Sequence, residues 1–241
     1  SLFKFICYKY ILGLADKIIV NSLEFKKKLK SIFKIDAICI YNPLDIKDVI
    51  KRSKINQNIK FHKNKLNLIN VGRLVDQKDQ MTLLKAVDRI KHQIDFDLII
   101  VGDGNKKKEL LDFIKKNNLS KRVRLIGSNH DPIKLIKLSD IFILTSLYEG
   151  LPNVLLEAQV LKTYIISSNC PTGPKEILLN GKAGSLFKIR DYKGLSKLIL
   201  NFSKNERKNL RLAKYGYKNL FRFNYKSNLN KYFEEINSLT K

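Results

Sequence analysis

Two carboxylates flank a seven-residue spacer in EGLPNVLLE, residues 149–157. The apolar run DIFILT, residues 140–145, reads as a buried strand, and the apolar segment after Pro152 reads as a helix. A proline near the first turn of a helix removes an N–H that has no partner there anyway. Glu149 therefore sits in a tight turn, and Glu157 lies five residues past Pro152, roughly 7.5 Å further along the axis. Gly150 and Leu151 lead into the helix start, whose free N–H groups and partial positive charge suit an anion. Acids flanking such a site do not bind phosphate. An ionised carboxylate accepts from neighbouring hydroxyl donors, and ribose, diphosphate and hexose present that layout in order. A second segment supplies positive charge. In NVGRLVDQKDQ, residues 70–80, Gly72 allows a turn after a strand, and Arg73 and Lys78 project from the loop. Arginine gives phosphate oxygens a planar fork and lysine gives a compact point charge. Two fixed cations can stabilise a departing diphosphate without a metal ion.

The elements that must position these residues follow from hydrophobic pattern. Strands are expected at 66–71, 96–102, 122–126, 140–145 and 163–167, alternating with helices at 79–93, 105–117, 132–138, 152–161 and 174–180. That alternation argues an α/β fold with a doubly wound parallel sheet and right-handed crossovers. Ligands in such sheets bind at the carboxyl ends of the strands, and Arg73, Gly127, Glu149 and Gly173 all fall just past predicted strand ends. Residues 127–130 are placed to edge a base pocket. Before this block come a helix at 2–13, a short strand at 17–20, a helix capped by Ser22 and a strand over 37–43. Residues 46–65 are polar and basic with weak periodicity and read as an interdomain linker; residues 191–241 read as helical.

The chain resembles the donor-binding, C-terminal half of a retaining glycosyltransferase of the GT-B fold, family 4 type. The likeness rests on the paired glutamates after a strand, on the G-R-L…K segment, and on IIVGDGNKKKELL (99–111), RVRLIG (122–127), SSNCPTGPKEIL (167–178) and GKAGSLFKIRD (181–191), in that order. It spans Leu66 to about Asp191. The resemblance implies a Rossmann-like donor domain over 66–190 joined by the 46–65 linker to the tail of an N-terminal, acceptor-side domain over 1–45. The C-terminal helices, 191–241, would end with the last packing toward the N-terminal part. It implies transfer of a hexose, an N-acetylhexosamine by the wording of CPTGPKEIL, from a UDP-sugar (or a GDP-sugar) to a glycan or lipid-linked acceptor in surface polysaccharide synthesis. Configuration is retained, and neither cofactor nor metal is used. Arg73, Lys78 and Glu149 are then the catalytic set, and Gly72, Gly127, Gly150, Leu151 and Glu157 complete the donor site. An upstream N-terminal domain is expected, since the chain starts with Ser1 and not Met.

Composition bounds the alternatives. Over 241 residues, 44% hydrophobic and 29% charged content suits a globular protein with a good core. Cys7, Cys39 and Cys170 have no metal-like spacing and fit a reducing cytoplasm. No apolar run approaches the ~20 residues of a membrane span. The net charge of +25 favours anionic partners. A peripheral position on the inner face of an anionic membrane fits it. Nucleic acid is not expected, because no helix-turn-helix, zinc module or aromatic RNA-binding signature accompanies the charge. Two rival readings stay open: a truncated donor-domain remnant that binds nucleotide without catalysis, and a basic nucleic-acid-binding module.

Several signals have plainer explanations. Asp95-Phe96-Asp97 has the D-x-D form of metal-dependent glycosyltransferases, but it sits at the start of a strand and reads as solvated. GDGNKKK, residues 102–108, lacks the third glycine of a dinucleotide fingerprint and reads as turn glycines before a helix. His62 and His92 read as solvated, His130 as a surface loop residue on the cleft side, and Cys170 as a small packed thiol.

Overall fold

The computed structural model describes residues 9–55, 58–128 and 131–239, with the backbone alone at Ser203. The chain divides into two compact units, Ile46–Leu220 and a smaller one formed by residues 1–45 with Phe221–Lys241.

The larger unit is built on a six-stranded sheet: β3 (Leu66–Val71), β4 (Phe96–Val101), β5 (Val123–Leu125), β6 (Ile141–Leu144), β7 (Tyr164–Ser168) and β8 (Ser185–Phe187). All its pairings are parallel. Their spatial order is β5-β4-β3-β6-β7-β8. Counted from β3 this is the order of a dinucleotide-binding sheet, and it reverses direction between β3 and β6. The crossovers are α3 (Gln80–Ile90), α4 (Lys107–Lys116), α5 (Ile133–Leu138), α6 (Asn153–Val160) and α7 (Pro174–Ile177), followed by α8 (Tyr192–Lys204) and α9 (Glu206–Lys218).

Strand side chains alternate between faces, so both faces must be apolar if both are covered. Leu68, Leu98, Ile100, Ile141, Ile143 and Ile166 share one core with Leu83, Val87, Leu110, Leu195 and Ile199 from α3, α4 and α8. Their neighbours Ile69, Ile99, Phe142 and Ile165 are buried as well, on the side where α5 meets β3 and α6 meets β7. The sheet is doubly wound, as the alternation of elements predicts.

Two features differ from the pattern-based expectation. β8 lies in a segment with no predicted strand. Three residues, Ser185–Phe187, are too few to show a period, and the strand exists because β7 offers its edge at Ile166, Ser167 and Ser168. The stretch 46–65, read as linker, begins with a helix, α2 (Ile46–Arg52), that packs on α5 and α6. Only Val49 of it is buried, which is why its periodicity is faint.

In the smaller unit β1 (Ile19–Val20) runs parallel to β2 (Ile38–Cys39). Between them α1 (Leu23–Lys28) is capped by Ser22 Oγ, which accepts from Phe25 N at 3.0 Å. A π-helical turn, Leu29–Phe33, extends it until Lys34 adopts a left-handed conformation. α10 (Tyr225–Asn237) closes the chain. Leu44 N donates to Phe223 O at 2.8 Å, Tyr41 and Phe223 stack at 4.8 Å, and Lys17 pairs with Glu235 at 2.7 Å. Of the predicted first helix, residues 9–13 are helical; Phe3, Phe5, Ile6 and Cys7 lie outside the described residues.

Candidate functional site

The order reversal leaves a crevice past the carboxyl ends of β3 and β6. Those two strands pair only at Leu68–Ile141 and Ile69–Phe142. Beyond that point they part, and the buried Asn70 side chain spans the gap by donating to Ile143 O at 2.8 Å. On the other side β3 and β4 stay together to their ends. Gly72 N donates to Val101 O and Gly102 N to Gly127 O, each at 2.9 Å. A Cβ at Gly102, whose φ is +149°, would stand 2.0 Å from Gly72 O. Only glycine lets the two strand ends approach this closely.

Arg73 leaves β3 at the rim of this crevice. Its carbonyl accepts from Gln80 Nε2 at 3.0 Å, which pins the backbone. Its side chain is exposed, and among the described residues no carboxylate pairs with it. An opening of about 350 Å³ lies against it, lined by Gly72, Gly102, Asp103, Ser128 and Pro132. The site thus holds an exposed cation on a pinned backbone, its charge unpaired by any described carboxylate.

Lys78 is handled differently. The 3₁₀ turn Asp76–Lys78 directs it back over Gly72, whose missing side chain leaves room for the lysine stem. Lys78 Nζ meets Glu149 Oε1 at 2.6 Å, with side-chain exposures of 17% and 8%. Ser146 Oγ donates to the same carboxylate oxygen at 2.6 Å, and Thr145 Oγ1 donates to Lys78 O at 2.7 Å. An ammonium has three donors, so Lys78 can hold Glu149 and still present hydrogens to a ligand.

The loop carrying Glu149 is braced from two sides. Leu147 N donates to Gln77 O at 2.8 Å, and Gln77 Nε2 to Tyr148 O at 2.9 Å. Thr172 Oγ1 donates to Glu149 O. Gly173, with φ +81°, lies so near that a Cβ there would sit 2.1 Å from Gly150 O. Gly150 is exposed and Leu151 buried as the chain enters α6, whose N-cap residue, Pro152, offers no side-chain hydrogen bond. Cys170 is buried beneath this loop, and burial pushes its thiol up to about 11. It is a packed thiol, as the sequence suggests.

Glu157 lies on α6 in a separate electrostatic setting. Burial raises its carboxyl above the ordinary value; Arg52 acts against that rise, and Asp131 and Asp48 add to it. Arg52 itself grips Asp131 with two hydrogen bonds of 2.8 Å, which hold the Asp131 carboxyl below its usual range. Arg52 and Asp131 were not among the predicted site residues. Their signal is absent from local sequence, because 79 positions separate them. Ser146 and Thr145 were equally invisible beside their charged neighbours. Gly127 sits at the strand ends as expected; His130 lies outside the described residues.

One expectation is corrected. Asp97 is not a solvated residue at the start of a strand: its side chain is 0% exposed. Asp97 Oδ2 accepts from Arg124 Nη2 at 2.7 Å and from His62 N at 2.7 Å, and contacts His62 Nδ1 at 2.8 Å. Inward alternation won over polarity because two donors were available to satisfy the charge. His62 is correspondingly held by Asp97, although its ring remains 55% exposed. Asp95, by contrast, is exposed beside Lys65 and Arg122. Both acids lie at the amino end of β4, the opposite end from Arg73.

The family model for Glycosyl transferases group 1 matches residues 51–219, and the chain belongs to that family. An uncharacterised glycosyltransferase of Methanocaldococcus jannaschii is 39% identical over 184 residues, which is 72% of this chain and 44% of that protein. The N-acetylgalactosamine-N,N'-diacetylbacillosaminyl-diphospho-undecaprenol 4-alpha-N-acetylgalactosaminyltransferase of Campylobacter jejuni is 30% identical over 178 residues, 73% of this chain and 47% of its own length. The chain thus spans about half the length of these curated relatives. In fold, it is similar to a glycosyltransferase of Rickettsia africae (TM-score 0.84, 19% identity, 98% of this chain and 67% of that one). It is similar also to Anabaena HepE solved with UDP and glucose (TM-score 0.83, 20% identity, 99% and 68%). The fold is that of the GT-B glycosyltransferases.

Proposed function

We propose that the crevice past β3 and β6 binds a nucleoside-diphosphate sugar and serves transfer of its hexose, with retained configuration and without a divalent metal, to a glycan or lipid-linked acceptor in surface polysaccharide synthesis. The observation that carries this reading is the pairing of a free cation with an engaged one: Arg73 open at the rim, and Lys78 fixed on Glu149 at 2.6 Å. A diphosphate entering there meets the Arg73 fork and the remaining Lys78 donors, which stabilise charge on it as the bond to the anomeric carbon breaks. The start of α6 adds backbone dipoles. Glu149, steadied by Ser146 and Lys78, is oriented to accept from hexose hydroxyls. Glu157, further along the same helix, is assigned to the ribose. The likeness of CPTGPKEIL to enzymes using UDP-N-acetylhexosamines favours such a donor, as does the activity in the name of the Campylobacter relative.

Calorimetric titration with UDP and with UDP-N-acetylglucosamine, each with and without EDTA, tests the assignment. Glu157→Ala should weaken both ligands by a similar factor, because both carry ribose. Glu149→Ala should remove mainly the extra affinity of the sugar. EDTA should change neither. A strict need for magnesium or manganese would overturn the metal-free reading, and equal effects of the two substitutions on UDP would overturn the division of labour between the acids.

A further inference from the structure

Far along the chain from the donor-site residues, α9 presents a cationic face that no carboxylate among the described residues neutralises. Arg207, Arg211, Lys214 and Lys218 recur at intervals of four, three and four residues and are all exposed. Residues so spaced share one side of a helix. Leu210 and Tyr215 accompany them with 47% and 44% of their surface open. The opposite side is fixed to the unit: Asn209, Ala213 and Gly216 are buried, and Asn209 Nδ2 donates to Phe202 O at 3.0 Å.

The turn before α9 adds a shallow, open depression. Lys204, Asn205, Arg207, Lys208 and Arg211, with Glu206, surround about 480 Å³. Beside it, and sharing Asn205 and Lys208 with it, runs a slot of about 260 Å³ with a mixed lining, Leu198, Phe202 and Leu212 beside Ser185, Asn201 and Asn209. Among the described residues none of the six cations of this corner and helix has a carboxylate partner. At the start of α4 two partly exposed lysines do have such partners: Lys106 pairs with Asp76 and Glu109, and Lys107 with Asp103.

We propose that α9 and the corner before it are a docking surface for an anionic lipid bilayer. A phosphate-bearing headgroup occupies the cationic corner, the stripe of Arg and Lys faces the charged interface, and Leu210 and Tyr215 enter the headgroup boundary. Charge complementarity is the main argument, since basic residues near such a surface attract it cumulatively. The exposed Leu210 and Tyr215 among the cations decide between polyanions. A bilayer has acyl chains to meet them, whereas a nucleic-acid backbone offers only phosphate and sugar there.

Co-sedimentation of the whole chain with phosphatidylcholine vesicles, with and without phosphatidylglycerol, tests this. The native chain should bind acidic vesicles at least about tenfold more tightly than neutral ones, and high salt should abolish the difference. Arg207→Gln/Arg211→Gln/Lys214→Gln/Lys218→Gln should lower binding by at least about tenfold. A control removing four exposed lysines elsewhere (Lys27, Lys115, Lys116 and Lys121 to Gln) should lower it less than about twofold. Leu210→Ser/Tyr215→Ser, which keeps the charge, should lower it several-fold. Thermal melting by circular dichroism checks that each variant is folded, and the salt arm needs no variant. Equal binding to neutral and acidic vesicles would overturn the proposal. Equal loss in both charge variants would reduce it to diffuse net charge. Tighter binding of duplex DNA than of vesicles, through the same four residues, would assign the face to nucleic acid.

Discussion

At the amino end of β4, Asp97 is fully buried and its Oδ2 is shared by Arg124 and His62. At the carboxyl end of β3, Arg73 is exposed and shares its charge with no described carboxylate. The two strands are neighbours along their whole length, so one pair of strands carries a spent charge at one end and an unspent charge at the other. The spent charge ties residues 60–62 to the sheet, since Arg124 Nη2 also donates to Lys60 O at 2.8 Å. The unspent one has space in front of it. Satisfied charge marks structure; an unpaired charge on a pinned backbone, beside an opening, marks a place for a ligand. Lys78 stands between these extremes, engaged by Glu149 yet with donors to spare.

The largest expected effect is at the structural end. Asp97→Ala strands a half-shielded arginine and frees the 60–62 segment, at a cost of about 3 kcal/mol in unfolding free energy. Urea denaturation measures it, and UDP affinity of the folded variant should be unchanged. A variant of native stability, or one that loses nucleotide binding, would break the contrast between the two ends.

Lys78→Ala should act on both properties. It leaves Glu149, 8% exposed, with Ser146 as its remaining donor, which destabilises by about 1–2 kcal/mol. It also removes a cation from the proposed diphosphate site, so UDP affinity should fall at least about tenfold. Parallel urea and calorimetric titrations separate the two effects. A change in one property alone would move Lys78 fully to one side of the comparison.

Glu157→Gln should show the smallest effect, with a definite pH sign. The Glu157 carboxyl is raised in the fold, chiefly by burial. Its contribution to stability is therefore present in acid and is lost as pH rises from the unfolded value of 4.5 through the folded one. The glutamine variant should match the native chain in acid and exceed it in stability at neutral pH, while binding UDP more weakly. Greater stability in acid than at neutral pH, relative to the native chain, would contradict the cause assigned to the shift.

How much of this was visible in the sequence depended on the range of the interaction. The alternating elements, Arg73 after β3 and Glu149 after β6 follow from local pattern and turn chemistry, and the structure puts them at the strand ends. Cys170 is packed, as a small thiol with no basic neighbour but Lys175 suggests. β8 was hidden because three residues show no period and its partner edge is remote in sequence. Asp97 was misjudged because the partners that make its burial tolerable, Arg124 and His62, are 27 and 35 residues away. The Arg52–Asp131 pair beside Glu157 escaped for the same reason. Charges look solvated in a sequence until the fold supplies their counterions.

In the proposed donor site the unpaired charge of Arg73 meets the diphosphate of a nucleotide sugar. Titration calorimetry of UDP into the Arg73→Ala chain tests it most directly. Because Arg73 is exposed and unpaired, its loss should leave the melting temperature of the unliganded protein unchanged. The missing charge-assisted hydrogen bonds, about 1.5–3 kcal/mol, should weaken UDP by a factor of ten or more. A folded Arg73→Ala protein that binds UDP as tightly as the native chain would contradict the account.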